Sequence, residues 1–219
     1  MKKLIFTLAL AACTPEAPEA QTDEPTEAQQ VELESLQPSV TRAGHLRFTT
    51  KAIHDPRAAR VFLDRLHVAT ESEAVRAALV EALPRTGGDY ADEVLELMAK
   101  ERSPLVRAAY VHTARRAPAA QAVAIAQRGL ADSSPEVIAE TIRATASLVD
   151  GAKLAGPMRS ALSSSDATVR MEAARTIGIL KIGIAKSDLD ALAADASPEV
   201  RREAARAITR LDARATSTR

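Results

Sequence analysis

The 219-residue chain has no tryptophan, only five other aromatic residues and a single cysteine. Aromatics make up 2% of the residues and apolar types 46%, so a core has to come from Ala, Leu, Val and Ile. Such a core suits close-packed helices and counts against a β-sandwich, whose strands favour β-branched and aromatic residues in alternation. One cysteine cannot close a disulfide within the chain. There is no glycine-rich phosphate loop, no Gly-x-Ser-x-Gly elbow and no His-Glu-x-x-His helix. His45, His54, His67 and His112 never stand three or four apart, so no metal and no cofactor is expected. Basic residues are missing between Lys3 and Arg42, where Glu16, Glu19, Asp23, Glu24, Glu27, Glu32 and Glu34 fall. Without those seven acids and Lys2 and Lys3, 27 basic and 22 acidic residues remain, a net of about +5. That charge is too weak and too dispersed to argue for nucleic acid.

The amino terminus carries its own signal. Met1-Lys2-Lys3 precedes a short apolar run ending in Leu10-Ala11-Ala12-Cys13. The run reaches only about 14 Å as a helix, which suits an export signal and not a membrane span. Leu10-Ala11-Ala12-Cys13 resembles the lipobox of bacterial lipoproteins. The resemblance implies a signal peptide over residues 1–12, acylation of Cys13, and, with Thr14 next in the chain, sorting to the outer membrane. The protein would face the periplasm or the cell surface, held to the membrane by its lipid alone. Residues 13–41, rich in Pro, Glu, Ala, Thr and Gln, read as an acidic disordered tether that buries too little apolar area to offset its ordering entropy. The stretch Val40 to His54 reads as an irregular cap over the first helical pair.

The chain is rich in one period. A valine returns every 31 or 32 residues, at Val75, Val106, Val137, Val169 and Val200. Three residues before each stands a helix-capping side chain: Ser72, Ser103, Ser134, Asp166 and Ser197. Pro104, Pro135 and Pro198 come next at the first helical position, where a missing N–H costs nothing. Arginine stands directly after the valine in four copies, at Arg76, Arg107, Arg170 and Arg201, and Ile138 stands there in the third. Five residues after each valine comes Val80, Val111, Ile142, Ala174 or Ala205, continuing one apolar stripe per helix. A second helix is expected after each of the first four, with apolar members such as Val94 and Met98, Ile125, Leu154 and Met158, Leu189 and Leu192. Pro157 is expected in the first turn of its helix. One extra second-type helix, capped at Asp55-Pro56 and running through Phe62 and Leu66, opens the array, for ten helices in all.

This Ser/Asp-x-x-Val-Arg pattern resembles the HEAT-like repeats of bacteria over residues 55 to 212. The resemblance implies an all-α fold: a right-handed α-solenoid of about five helical pairs, with a domain over residues 42–212 and a polar tail over 213–219. It also implies a ladder in which each arginine meets an acid of a neighbouring repeat. Glu101, Asp132 and Asp195 match that acid, whereas Thr70 and Ser164 do not, so the ladder is expected to be incomplete.

The expected function is a monomeric scaffold that binds a protein partner and performs no catalysis. Solenoids expose long concave surfaces, and the second helices place Glu93, Glu96, Arg128, Arg159 and Asp188 there as candidate contacts. Ile138 is a further candidate contact, set against local packing after repeat drift. Two enzyme groups share this repeat type, the bilin lyases and a di-iron hydroxylase of deoxyhypusine. The first wants an aromatic-lined pocket, and the second binds iron through His-Glu pairs absent from this sequence. A purely structural spacer is the remaining alternative.

Overall fold

A computed structural model describes residues 26–41, 46–68, 70–145, 151–182 and 186–217. Cys13, the expected signal peptide over 1–12, the tether as far as residue 25, and His45 lie outside the described residues. Each valine-centred segment is a helix: α3 (Glu73–Thr86), α5 (Pro104–Thr113), α7 (Pro135–Thr145), α9 (Ala167–Leu180) and α11 (Pro198–Ser217). The second-type helices are α2 (Arg57–Leu66), α4 (Ala91–Lys100), α6 (Ala119–Leu130), α8 (Gly151–Leu162) and α10 (Lys186–Asp190), the last continued by a 3-10 turn over Ala191–Ala194. The result is an all-α repeat solenoid. Each first helix packs on the first helices before and after it, and each second-type helix packs on the next first helix in the chain, giving five pairs.

The stripe forms the core as its spacing requires. Val106, Val137, Val169 and Val200 are fully buried and Val75 nearly so. Val80, Val111, Ile142 and Ala174 are buried behind them. Fully burying one such valine contributes about 1.5–3 kcal/mol, against about 0–1 for an exposed ion pair, so the stripe dominates cohesion. Small residues let the first helices approach. A Cβ on Gly178 of α9 would stand 2.6 Å from the Ala207 Cα of α11. Gly87 ends α3 at φ 73°, a left-handed cap that glycine adopts without a Cβ clash.

Several local expectations need correction. Ser72, Asp166 and Ser197 cap as expected, accepting the amides of Val75, Val169 and Val200. Ser103 does not: its buried hydroxyl has no partner among the described residues, although its backbone N–H donates to Glu101 as those of Ser134 and Ser197 do to their acids. Pro157 is not in a first turn, because α8 already begins at Gly151. Its missing N–H leaves the Lys153 carbonyl without the usual intrahelical donor. Ala205 is exposed, since the outer face of α11 meets no further helix among the described residues. That helix also runs to Ser217, past the expected end of the solenoid at 212, so residues 213–217 of the expected polar tail are helical.

The composition of residues 13–41 predicts disorder throughout, but residues 26–41 carry defined structure. Thr26 and Gln29 form a capping box that starts α1 (Glu27–Glu34). Leu36 beyond it is fully buried. Ser39–Val40 (β1) pairs antiparallel with Leu46–Arg47 (β2), and a 3-10 turn spans Ala52–His54. The Phe48 ring meets Phe62 of α2 edge-on at 5.3 Å. Arg57 donates to Glu32, and Arg65 donates to the Pro38 carbonyl. One buried leucine and one aromatic pair order a segment whose composition is otherwise that of a coil. The segment covers the open end of the first helical pair, in the place expected for the irregular cap.

Candidate interaction surface

Three arginines span neighbouring repeats. Arg76 donates to Glu101 through Nε and Nη2, both at 3.0 Å. Arg107 meets Asp132 in the same fork at 2.8 and 2.9 Å, and Arg170 meets Asp195 at 2.7 and 2.9 Å. The third nitrogen of each turns back onto carbonyls of its own preceding loop, as in the bond from Arg170 Nη1 to the Ser164 oxygen at 2.8 Å. Each acid also accepts the amide two residues on, from Ser103, Ser134 or Ser197, at 2.8 Å. One carboxylate thereby fixes its own loop and the repeat before it.

The electrostatics arise from these contacts. Burial pushes the Glu101 and Asp132 carboxyls up, but the arginine fork and the serine amide together outweigh it, and both lie below their ordinary values. Asp195 is lowered first of all by its hydrogen bond from Arg170. Arg201, in the last repeat, donates to the Asp195 and Ala196 carbonyls.

The rung between the third and fourth repeats is absent from both sides. Ile138 stands in the arginine position and Ser164 in the acid position. Ile138 is half-buried and packs on the core. The Ser164 hydroxyl accepts the Asp166 amide at 3.2 Å, so the loop keeps its internal bond without a carboxylate. A different pair joins these repeats. Arg143 of α7 donates to the buried Glu172 of α9 at 3.3 Å. Glu140, which takes the place of Ala78 and Ala109, accepts from Arg143 at 2.5 Å and lies 3.2 Å from His112 of α5.

The residues expected on the second-helix face are brought into one ladder only in part. Glu93 takes Arg60 at 3.0 Å and His67 at 2.8 Å, both from the α2 segment. Arg159 of α8 donates to Asp188 of α10 at 2.8 Å. These three therefore join neighbouring helices. Glu96 pairs along its own helix with Lys100, and Arg128 is exposed beside an open groove of about 670 Å³ that also includes Met98, Gln127 and Asp132.

A further row is not among the residues singled out from the sequence. Three residues after the valine, the third to fifth repeats carry Glu140, Glu172 and Glu203, and six after it Arg143, Arg175 and Arg206. The carboxylates sit inward and the guanidiniums outward, with Glu172 7% and Arg175 54% exposed. The signal for this row lies in two registers of the same period, three and six positions beyond the valine.

Among the described residues no three His, Cys, Asp or Glu side chains converge as a metal-binding set. His54 is exposed, and His67 and His112 each meet a single glutamate. No helix among them is long and apolar enough to cross a membrane. Residues 122–208 match the protein family described as HEAT repeats. The match runs from α6 into α11 and supports a HEAT-like repeat protein. No curated protein matches the chain.

Proposed function

We propose that this HEAT-like repeat protein is a lipid-anchored cell-envelope scaffold that binds a protein partner through its solenoid surface and performs no catalysis of its own. The observation that carries the reading is the division of its charges. The loop-edge arginines are consumed in holding repeat to repeat, while a file of half-exposed arginines runs across α7, α9 and α11. Repeat arrays bind through extended surfaces of this kind, composed from equivalent positions of successive repeats. A monomer suffices for it.

The address rests on Cys13 and its resemblance to a lipobox cysteine. Two or more acyl chains anchor a protein stably, since each buried CH₂ contributes about 0.8 kcal/mol and one chain alone is marginal. Mass spectrometry of the native protein is expected to show an acylated Cys13 as the first residue. An unmodified Cys13 with Met1 still attached would remove the anchor from the proposal. Partner binding is tested separately, by isolating the chain from its own membrane fraction and asking whether one protein accompanies it at fixed stoichiometry.

A further inference from the structure

We infer that the arginine row on α7, α9 and α11 is the docking face for an acidic, extended polypeptide segment of that partner. The inference rests on the scaffold reading and names the chemistry of what the scaffold holds. In an ordinary surface ion pair both members share the solvent. Here the glutamates are turned inward, with side-chain exposures of 25% for Glu140, 7% for Glu172 and 15% for Glu203. The arginines they hold stay open, at 43% for Arg143, 54% for Arg175 and 57% for Arg206. A guanidinium has five N–H donors; Arg175 and Arg206 each meet one carboxylate and keep outward donors unused, whereas Arg143 already meets both Glu140 and Glu172. The contact from Arg175 to Glu172 is 3.9 Å, so Arg175 has the most to gain from a second anion.

The file also has a spacing. Packed helices lie about 8–10 Å apart. A polyproline-II-like extended chain has about three residues per turn and advances about 3.1 Å per residue, so an acid at every third position would keep to one face and come opposite each arginine in turn. Each contact would be a charge-assisted fork, which lysine at the same place could not form. Ile179 is 49% exposed one turn beyond Arg175 on α9 and offers a seat for one apolar side chain of the same segment. A file of cations one repeat apart, with an apolar residue beside it, fits a single extended segment better than a planar anionic leaflet, which would need cations spread over a face.

The test uses the full chain and two labelled synthetic peptides of one composition. The first has a glutamate at every third position and one leucine; the second has the same glutamates contiguous. Binding is read by fluorescence anisotropy at physiological salt. The spaced peptide is expected to bind about fivefold or more tighter than the contiguous one. Arg175→Gln with Arg206→Gln is expected to weaken it about tenfold or more, and Arg85→Gln on α3 to leave it unchanged. Circular dichroism checks that the variant is folded. If it is not, Arg175→Lys with Arg206→Lys keeps the charge without the fork and should still lose about severalfold. Equal binding of the two peptides, or full binding by a folded variant, overturns the inference. Two more results also overturn it: anionic phosphatidylglycerol vesicles bound through the same arginines when the peptide is not, and tighter peptide binding after deletion of residues 14–25, which would make the chain's own acidic segment the occupant. None of these outcomes touches the stoichiometric partner, which remains the test of the scaffold itself.

Discussion

Ile138 and Ser164 are the two halves of one missing rung. In three other repeats the arginine after the valine grips an acid 25 residues on: Arg76 grips Glu101, Arg107 grips Asp132 and Arg170 grips Asp195. At the third repeat both members are replaced, so neither an unpaired guanidinium nor an unpaired carboxylate is left in the partly buried seam. Such a remnant would cost more than the pair contributes. Ile138 therefore does not need a partner protein to explain it: its side chain packs on the core, and Arg143 with Glu172 joins the two repeats.

The rung should be restorable only as a pair. Ile138→Arg alone loses packing and finds no acid, because Glu101, Asp132 and Asp195 are already held by their own arginines. We expect it to destabilise by about 1 kcal/mol. Ser164→Asp alone should be close to neutral, since the new carboxylate can still accept the Asp166 amide. Together the two changes should show a favourable coupling of about 1–2 kcal/mol in a double-mutant cycle read by urea unfolding. Simple additivity would show that the two positions do not face each other.

The valine stripe is predicted to matter more than any one rung. Val137→Ala removes two methyl groups from a fully buried site and should cost about 1–2 kcal/mol. An effect no larger than that of an exposed control such as Arg85→Gln would put Val137 outside the core.

Gly178→Ala tests the closest approach between first helices. Replacing a helical glycine by alanine is ordinarily favourable by up to about 1 kcal/mol. Here the new methyl would stand 2.8 Å from the Ala207 Cβ and 2.6 Å from its Cα, so α9 and α11 must separate. Overpacking of that kind costs about 1–3 kcal/mol, and the net effect should be a lower melting temperature. A rise would mean that the two helices pass more loosely.

Acid should loosen the seams between repeats. Glu101, Asp132 and Asp195 have carboxyls held below their ordinary values of 4.5 for Glu and 3.8 for Asp. A group whose folded value is depressed contributes stability that is fully present above its unfolded value and is lost as the pH falls through the folded one. Urea midpoints should therefore be level with respect to these groups above about pH 4.5 and drop below it. Arg107→Ala and Arg170→Ala should each show a shallower drop than the parent. An unchanged acid slope in both variants would contradict the assignment.

Much of this is legible in one dimension. The period, the caps and the apolar stripe reflect local geometry, and they place ten helices and three rungs correctly. Short-range signals fail where a distant contact decides. The composition of residues 26–41 is that of a coil, yet Leu36 finds a buried seat and Phe48 finds Phe62, and neither contact leaves a local trace. Ser103 looks like its neighbours in sequence, but its hydroxyl is buried without a partner among the described residues. Glu93, Arg159 and Asp188 read as free surface charges because their partners are distant in sequence, 29 residues apart for Arg159 and Asp188. The same separation conceals Glu172 behind Arg143.

The most direct test of the functional account is native mass spectrometry of the full chain isolated from its own membranes, in parent and Arg175→Gln/Arg206→Gln forms. The account predicts one additional protein at fixed stoichiometry on the parent, and its loss from a variant whose helicity and melting are unchanged. A chain that emerges alone, or accompanied only by proteins of variable stoichiometry shared with an unrelated lipoprotein, would contradict it.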